Sequence, residues 1–180
     1  MPSAAPLTAD ELRHLNLPNK RTELVRGALV VREPSGFLHG RVAAKLAQLL
    51  MNHVEAGDLG FVFGAETGFT LSVGPDTVRA PDAAFIRGDR VPHPPPTGFA
   101  AIAPDLVVEV LSPDDRPGEV LAKVGDWLSA GTSLVWVVDP VRRSARVYRA
   151  DGSVALLTEA DALDGETALP GFTCAVRTIF

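Results

Sequence analysis

Five consecutive apolar residues, Leu134-Val135-Trp136-Val137-Val138, stand immediately before Asp139-Pro140. Side chains alternate faces along a strand, so an unbroken apolar run needs cover on both sides. The run predicts a central strand buried on both faces, ended by a turn at Asp139-Pro140, with helices layered against the sheet. Two helices are available for those layers. Leu38, Val42, Leu46, Leu49, Leu50 and His53 or Val54 recur at helical spacing after Ser35-Gly36, with Gly57 as a C-terminal cap. Val120, Val124, Trp127 and Leu128 share one face of a second helix over residues 118–130.

Shorter signals fill in the rest. Thr8-Ala9-Asp10-Glu11 is a capping-box pattern that predicts a short helix over residues 10–15, stopped by Pro18. Residues 22–32 read as two strands around a turn at Arg26-Gly27. Strand-like pieces follow at 60–65, 68–73, 77–86 and 105–111, and again at 146–148, 154–157 and 173–176. Residues 92–104, with three consecutive prolines at Pro94, Pro95 and Pro96, predict an extended surface loop. No repeat or linker divides the chain. The expectation is one α/β domain over residues 1–180, a mixed sheet flanked by helices with additional hairpins, and an N-terminal helical extension over residues 1–20.

Composition narrows the function. At 180 residues, 46% apolar and 22% charged, the chain can bury a full core. Its single cysteine, Cys174, excludes an internal disulfide and fits a cytoplasmic location. No apolar run approaches the roughly eighteen residues that would predict a membrane span, and residues 1–7 lack a signal-peptide pattern, so no membrane partner is expected. A net charge of −5 argues against indiscriminate nucleic-acid binding while leaving room for a local basic groove. The four histidines form no i,i+4 pair and the cysteine has no partner, which argues against zinc; nucleotide-phosphate loops and nucleophile elbows are absent from the sequence.

Two segments carry the chemistry. In Arg79-Ala80-Pro81-Asp82-Ala83-Ala84-Phe85-Ile86 and in Asp105-Leu106-Val107-Val108-Glu109-Val110-Leu111, a carboxylate interrupts a strand-like apolar pattern. Asp82 would share a face with Ala84 and Ile86, and Glu109 with Val107 and Leu111, so neither has a basic neighbour along its own strand. A buried carboxylate costs several kcal/mol unless it is neutralised. Two on neighbouring strands repel, and a divalent cation is the simplest remedy, which suggests a metal-dependent hydrolase. The plain alternative is that each lies at a strand end, solvated or paired with an arginine.

The spacing resembles that of the PD-(D/E)xK nuclease superfamily, and more narrowly the Uma-two family of bacterial proteins classed with restriction endonucleases. The resemblance spans roughly residues 21 to 180. It rests on an ordered set: Glu23-Leu24-Val25-Arg26-Gly27, His39, Pro81-Asp82, Pro104 through Pro113, Lys123, Gly131, and Trp136-Val137-Val138-Asp139-Pro140. It implies a restriction-endonuclease-like fold in which Asp82 and Glu109 hold Mg²⁺, or Mn²⁺ in its place, with the backbone carbonyl of Val110 as a third ligand. It further implies a catalytic role for Glu23 as an additional metal or water ligand, against the alternative of a solvated glutamate at the start of a hairpin strand. For His39, at a helix N-terminus, capping or contact with the substrate phosphate competes with a plain surface position.

One departure stands out. The superfamily's lysine follows the glutamate by two residues, where this chain has Leu111. The resemblance points to Lys123 as its replacement from the following helix; the competing reading is a surface pair with Glu119, four residues earlier. The implied function is Mg²⁺-dependent hydrolysis of phosphodiester bonds in nucleic acid, DNA foremost, by a homodimer. Its rivals are a weak or inactive nuclease-fold module that binds nucleic acid or a protein, and a hydrolase of small phosphate esters. Sequence specificity and biological role are not written in these residues.

Overall fold

The computed structural model describes residues 5–180. Its organising element is the predicted central strand, β8 (Leu134–Asp139), buried along its whole length. β8 lies within a six-stranded sheet whose other members are β3 (Gly60–Gly64), β6 (Ala83–Arg87), β7 (Leu106–Val110), β9 (Ser144–Arg149) and β10 (Val154–Leu157), in the order β10-β9-β8-β7-β6-β3. β7 and β8 run parallel and the other neighbours antiparallel, so the sheet is mixed. The parallel pair is joined through a helix, α3 (Pro117–Ser129), as a parallel crossover requires.

Alternation along β8 divides the core. Leu134, Trp136 and Val138 face the long helix α2 (Phe37–Gly57), with its Val42, Leu46, Leu50 and Val54, and the C-terminal residues Leu163, Leu169, Phe172, Val176 and Ile179. Val135 and Val137 face Val124 and Trp127 of α3, together with Phe69. α2 ends one residue later than the glycine signal suggests: Asp58, at φ 49°, takes the left-handed cap position and Gly57 is the last helical residue. Aspartate is one of the few side chains that tolerate that conformation.

The expected hairpins at the N-terminal end combine into a second sheet. β1 (Arg21–Val25), β2 (Ala28–Arg32), β4 (Phe69–Ser72) and β5 (Thr77–Arg79) pair in the order β2-β1-β5-β4. The short helix α1 (Ala9–His14), with its capping box intact, sets Leu12 against Leu24 of β1 and Val78 of β5. The predicted strand over residues 77–86 is therefore two strands in two sheets, joined by the corner Ala80-Pro81-Asp82. Proline cannot donate to a ladder and fixes its own φ, so the pairing breaks where Pro81 stands. The proline-rich stretch also departs from expectation. Its second half is tied down, with Ala103 buried and Ala100 bridging to Phe69. Last come β11 (Ala162–Asp164) and β12 (Thr173–Ala175), an antiparallel pair.

Leu46 is fully buried between α2 and the central sheet. Leu46→Ala is expected to lower unfolding free energy by about 2–5 kcal/mol, read from urea denaturation.

Candidate active site

The corner at Pro81 delivers Asp82 to the head of β6. Its N–H donates to the Val108 carbonyl at 3.0 Å. Ala83 opposes Val108, so one further step along the ladder sets Asp82 beside Glu109 of β7. Both carboxylates are buried, and both line a cavity of about 680 Å³. Glu23 of β1, His39 of α2, Val110 of β7 and Lys123 of α3 line the same cavity. The six residues selected from sequence thus converge from both sheets and both long helices.

Lys123 joins these elements. Its ammonium donates to Glu109 Oε2 at 2.8 Å and to the Ala80 carbonyl at 3.4 Å, and lies 3.2 Å from Glu23 Oε1. Glu119, the partner proposed by the surface-pair reading, turns instead to Arg32 at 3.0 Å. The other Glu109 oxygen accepts the Trp127 indole N–H at 2.8 Å. Glu23 also accepts from the Ala80 N–H and from Arg79, each at 2.9 Å, and Arg79 reaches Asp126 of α3 at 2.6 Å. Glu23 is thus a buried, fully engaged side chain in the middle of β1, where a solvated glutamate was one expectation.

Asp82 has its own set of donors. Its Oδ2 accepts the Val110 N–H at 2.7 Å and lies 3.2 Å from His39 Nε2. Its Oδ1 accepts from Arg21 of β1 at 3.2 Å. Val110 therefore meets Asp82 through its N–H. His39 is buried against Asp82 rather than sitting on the surface, and its Nδ1 is left without a partner. His53, by contrast, lies apart from the cavity, edge-on to Phe172 and bonded to the Pro170 carbonyl at 3.0 Å.

The electrostatic consequences differ between the acids. Burial works against the charged form of each. For Asp82 it is outweighed by the bonds from His39 and Val110 and by the Lys123 charge, so its pKa falls below the usual carboxylate range. For Glu23, Lys123 and Arg79 outweigh burial in the same way. Glu109 goes the other way, raised to about 7: burial is the largest cause, and Lys123 offsets only part of it while Asp82 and Glu23 add repulsion. Burial pulls Lys123 down, but the surrounding carboxylates hold it above the ordinary lysine value.

The neutralisation that the sequence argument assigned to a divalent cation comes, in part, from the chain itself. Arg21, Arg79 and Lys123 reach the acids from β1, β5 and α3. Among the described residues no three His, Cys, Asp or Glu side chains are grouped as a ready cage for an ion. The donor chemistry nevertheless fits a hard divalent cation. Two carboxylates share one cavity, and Glu109 resists ionisation there despite its ammonium partner. Arg21, Arg79 and Asp126 were missed from sequence. The signal that could have found Arg79 is an arginine inside a strand-like apolar pattern, directly before Ala80-Pro81-Asp82. Trp127 was read as core, which it is, but a buried indole N–H also calls for an acceptor.

Comparison with known proteins bears on the fold and the family. A crystal structure of a putative nuclease belonging to DUF820, from Anabaena variabilis ATCC 29413, superposes with a TM-score of 0.84 at 21% identity, covering 97% of this chain and 98% of that one. At that identity the likeness establishes a shared fold. No curated protein matches the chain. The sequence profile of the Uma2 family, described as "Putative restriction endonuclease", matches residues 9–177, and the chain belongs to that family.

Proposed function

We propose that the chain is a Mg²⁺-dependent endonuclease acting on DNA, with its active site at Asp82 and Glu109. The observation that carries this reading is the meeting of Lys123 with Glu109 at 2.8 Å, although the position two residues after the glutamate is Leu111. In this reading the Lys123 ammonium takes the place of a lysine at that position. Asp82 and Glu109, with the Val110 carbonyl, would hold the Mg²⁺, and Mn²⁺ would serve in its place. When bound, the ion supplies Lewis acidity toward the phosphate and a lowered pKa for a water.

The remaining work falls to side chains. Glu23 and Glu109 fix the Lys123 ammonium inside the cavity, where it stabilises charge developing on the phosphate. His39 and Arg21 hold Asp82 in one orientation, so that its carboxylate is preorganised. As part of the cavity wall, His39 also meets the substrate in this reading. Duplex cleavage calls for two such sites, which fits a homodimer, and the lone cysteine fits work in the cytoplasm. One observation favours a second reading. The acids already have partners within the chain, and such a cavity also suits a nuclease-fold module that binds nucleic acid without cutting it.

Supercoiled plasmid incubated with Mg²⁺ or Mn²⁺ is expected to be nicked, with no nicking in Ca²⁺, whose looser coordination suits binding more than chemistry. Asp82→Ala should abolish the nicking, and Lys123→Leu should slow it by ~10²–10³. Equal nicking by wild type and Asp82→Ala would reject the assignment, and salt-sensitive DNA binding without nicking would favour the binding module.

Glu109 also gives a signature independent of turnover. Its carboxyl titrates at about 7 in the folded chain, well above an ordinary glutamate. Between those values the unfolded chain gives up a proton that the folded chain retains, so stability falls as pH rises through this window. In EDTA, urea unfolding is expected to show a loss of roughly 3 kcal/mol from Glu109 between about pH 4.5 and 7.5. Glu109→Gln should flatten that slope, and Mg²⁺ at pH 8 should restore stability to wild type alone.

A further inference from the structure

The catalytic cavity is not closed off at Leu111. A second cavity, of about 660 Å³, shares Leu111, Ser112, Pro113, Asp115 and Val120 with it. Its floor is the part of the central sheet beyond the cover of α3. Val137 pairs with Arg146 and Arg146 with Leu156, while Val135 pairs with Tyr148 and Tyr148 with Val154. Residues directly opposed in neighbouring strands present the same face. That face begins under α3 with buried Val135 and Val137 and ends at Val154 and Leu156, both more than half exposed. Leu121 of α3 and Val141 line the cavity and are as open.

Charge is sorted across this surface. The two carboxylates that line it are set back and engaged. Asp139 accepts from the N–H groups of Val141 and Arg142, and Asp115 accepts from the Ser112 N–H and lies 3.7 Å from Arg32. The arginines stand outward. The Arg142 side chain is 76% exposed, touching only the outer oxygen of Asp139 at 3.3 Å. Arg146 is exposed and has no ion-pair partner among the described residues. Beyond Arg146 along β9, away from the turn that carries Arg142, the half-buried Tyr148 ring lies beside open apolar surface.

We propose that this second cavity binds the nucleic-acid strand that flanks the scissile phosphate. Arg142 and Arg146 take backbone phosphates, and Tyr148 takes an unpaired base against its ring. Leu111 forms the wall common to the two cavities, so the residue that displaces the superfamily's lysine supplies apolar surface along the strand's path. Outward cations over recessed, engaged carboxylates match a polyanion, whereas a neutral ligand would leave Arg146 without a counter-charge and Arg142 with the Asp139 oxygen alone. Continuity with the cavity at Glu109 selects the strand already held there. The proposal rests on the nuclease reading of that cavity.

The test is fluorescence anisotropy of a labelled single-stranded 20-mer, and of its duplex, in Ca²⁺ across a salt series. It compares wild type with Arg142→Ala/Arg146→Ala and with Tyr148→Ala, each checked for a native circular dichroism spectrum. The double variant is expected to bind more weakly and to lower the log–log salt slope by about 1–2, the signature of lost phosphate contacts. Tyr148→Ala should weaken single-strand binding roughly tenfold with little change of slope. Hydrolysis of bis(4-nitrophenyl) phosphate, which fits the catalytic cavity alone, should be unchanged in both variants. Unaltered affinity and slope in the variants, with plasmid nicking intact, would overturn the second site and leave the catalytic assignment standing. Weakened binding by a protein that never nicks DNA would support the site and reject catalysis. A wild-type dimer that Leu156→Asp converts to monomer without loss of DNA affinity would assign the face to a second copy and overturn the proposal. Wild type that binds no DNA would overturn both.

Discussion

A buried ammonium shared between two glutamates holds this molecule's functional end together. Lys123 reaches from α3 to Glu109 on the central sheet and Glu23 on the smaller one, and touches the Ala80 carbonyl at the corner between them. In the interior such charges are tolerable only together: removing one leaves the others desolvated and unpaired, typically at a cost of 3–5 kcal/mol. Arg79 repeats the arrangement, bridging Glu23 of the small sheet to Asp126 of the helix. The relation of the two sheets is thus fixed by ionic contacts as well as by apolar packing, and the cavity lies at that join.

Much of this was legible in the residues. The apolar run at 134–138 required cover on both faces and received it from α2 and α3. The order of motifs from Glu23 to Asp139 led to the family and to the mixed α/β fold. Asp82, Glu109, Lys123, Glu23, His39 and Val110 line one cavity because that order reflects a topology in which distant segments meet. What could not be read was pairing across elements. Periodicity shows which face a carboxylate occupies, but not that Arg21, 61 residues away in sequence, will reach it. β5 and β6 were merged into one strand because the apolar pattern continues on both sides of Pro81, although that proline marks the break.

The resolution of the two carboxylates is mixed, and the mixture is informative. Asp82 is stabilised as an anion by Arg21, the Val110 N–H and His39. Glu109 is held by an ammonium and an indole N–H and still resists ionisation. One acid is thus committed to its charge and the other is poised, an asymmetry that commonly separates roles within a site. Lys123 meets Glu109 from α3, while Leu111 stands two residues after the glutamate on its own strand. A side chain from a helix can place its terminal group where a strand residue would, provided the backbone between them is rigid.

The corner at Pro81 has a further consequence. Arg21, Glu23 and Arg79 belong to the small sheet, whereas Asp82 and Glu109 belong with the central one. Should the central sheet form first, it would hold two acids close together with only part of their compensation; the small sheet alone would pair Glu23 with Arg79 but leave Arg21 without Asp82. Docking of the two sheets brings Arg21 to Asp82 and Glu23 to Lys123. The acids therefore gain the rest of their counter-charges only where the two sheets have met.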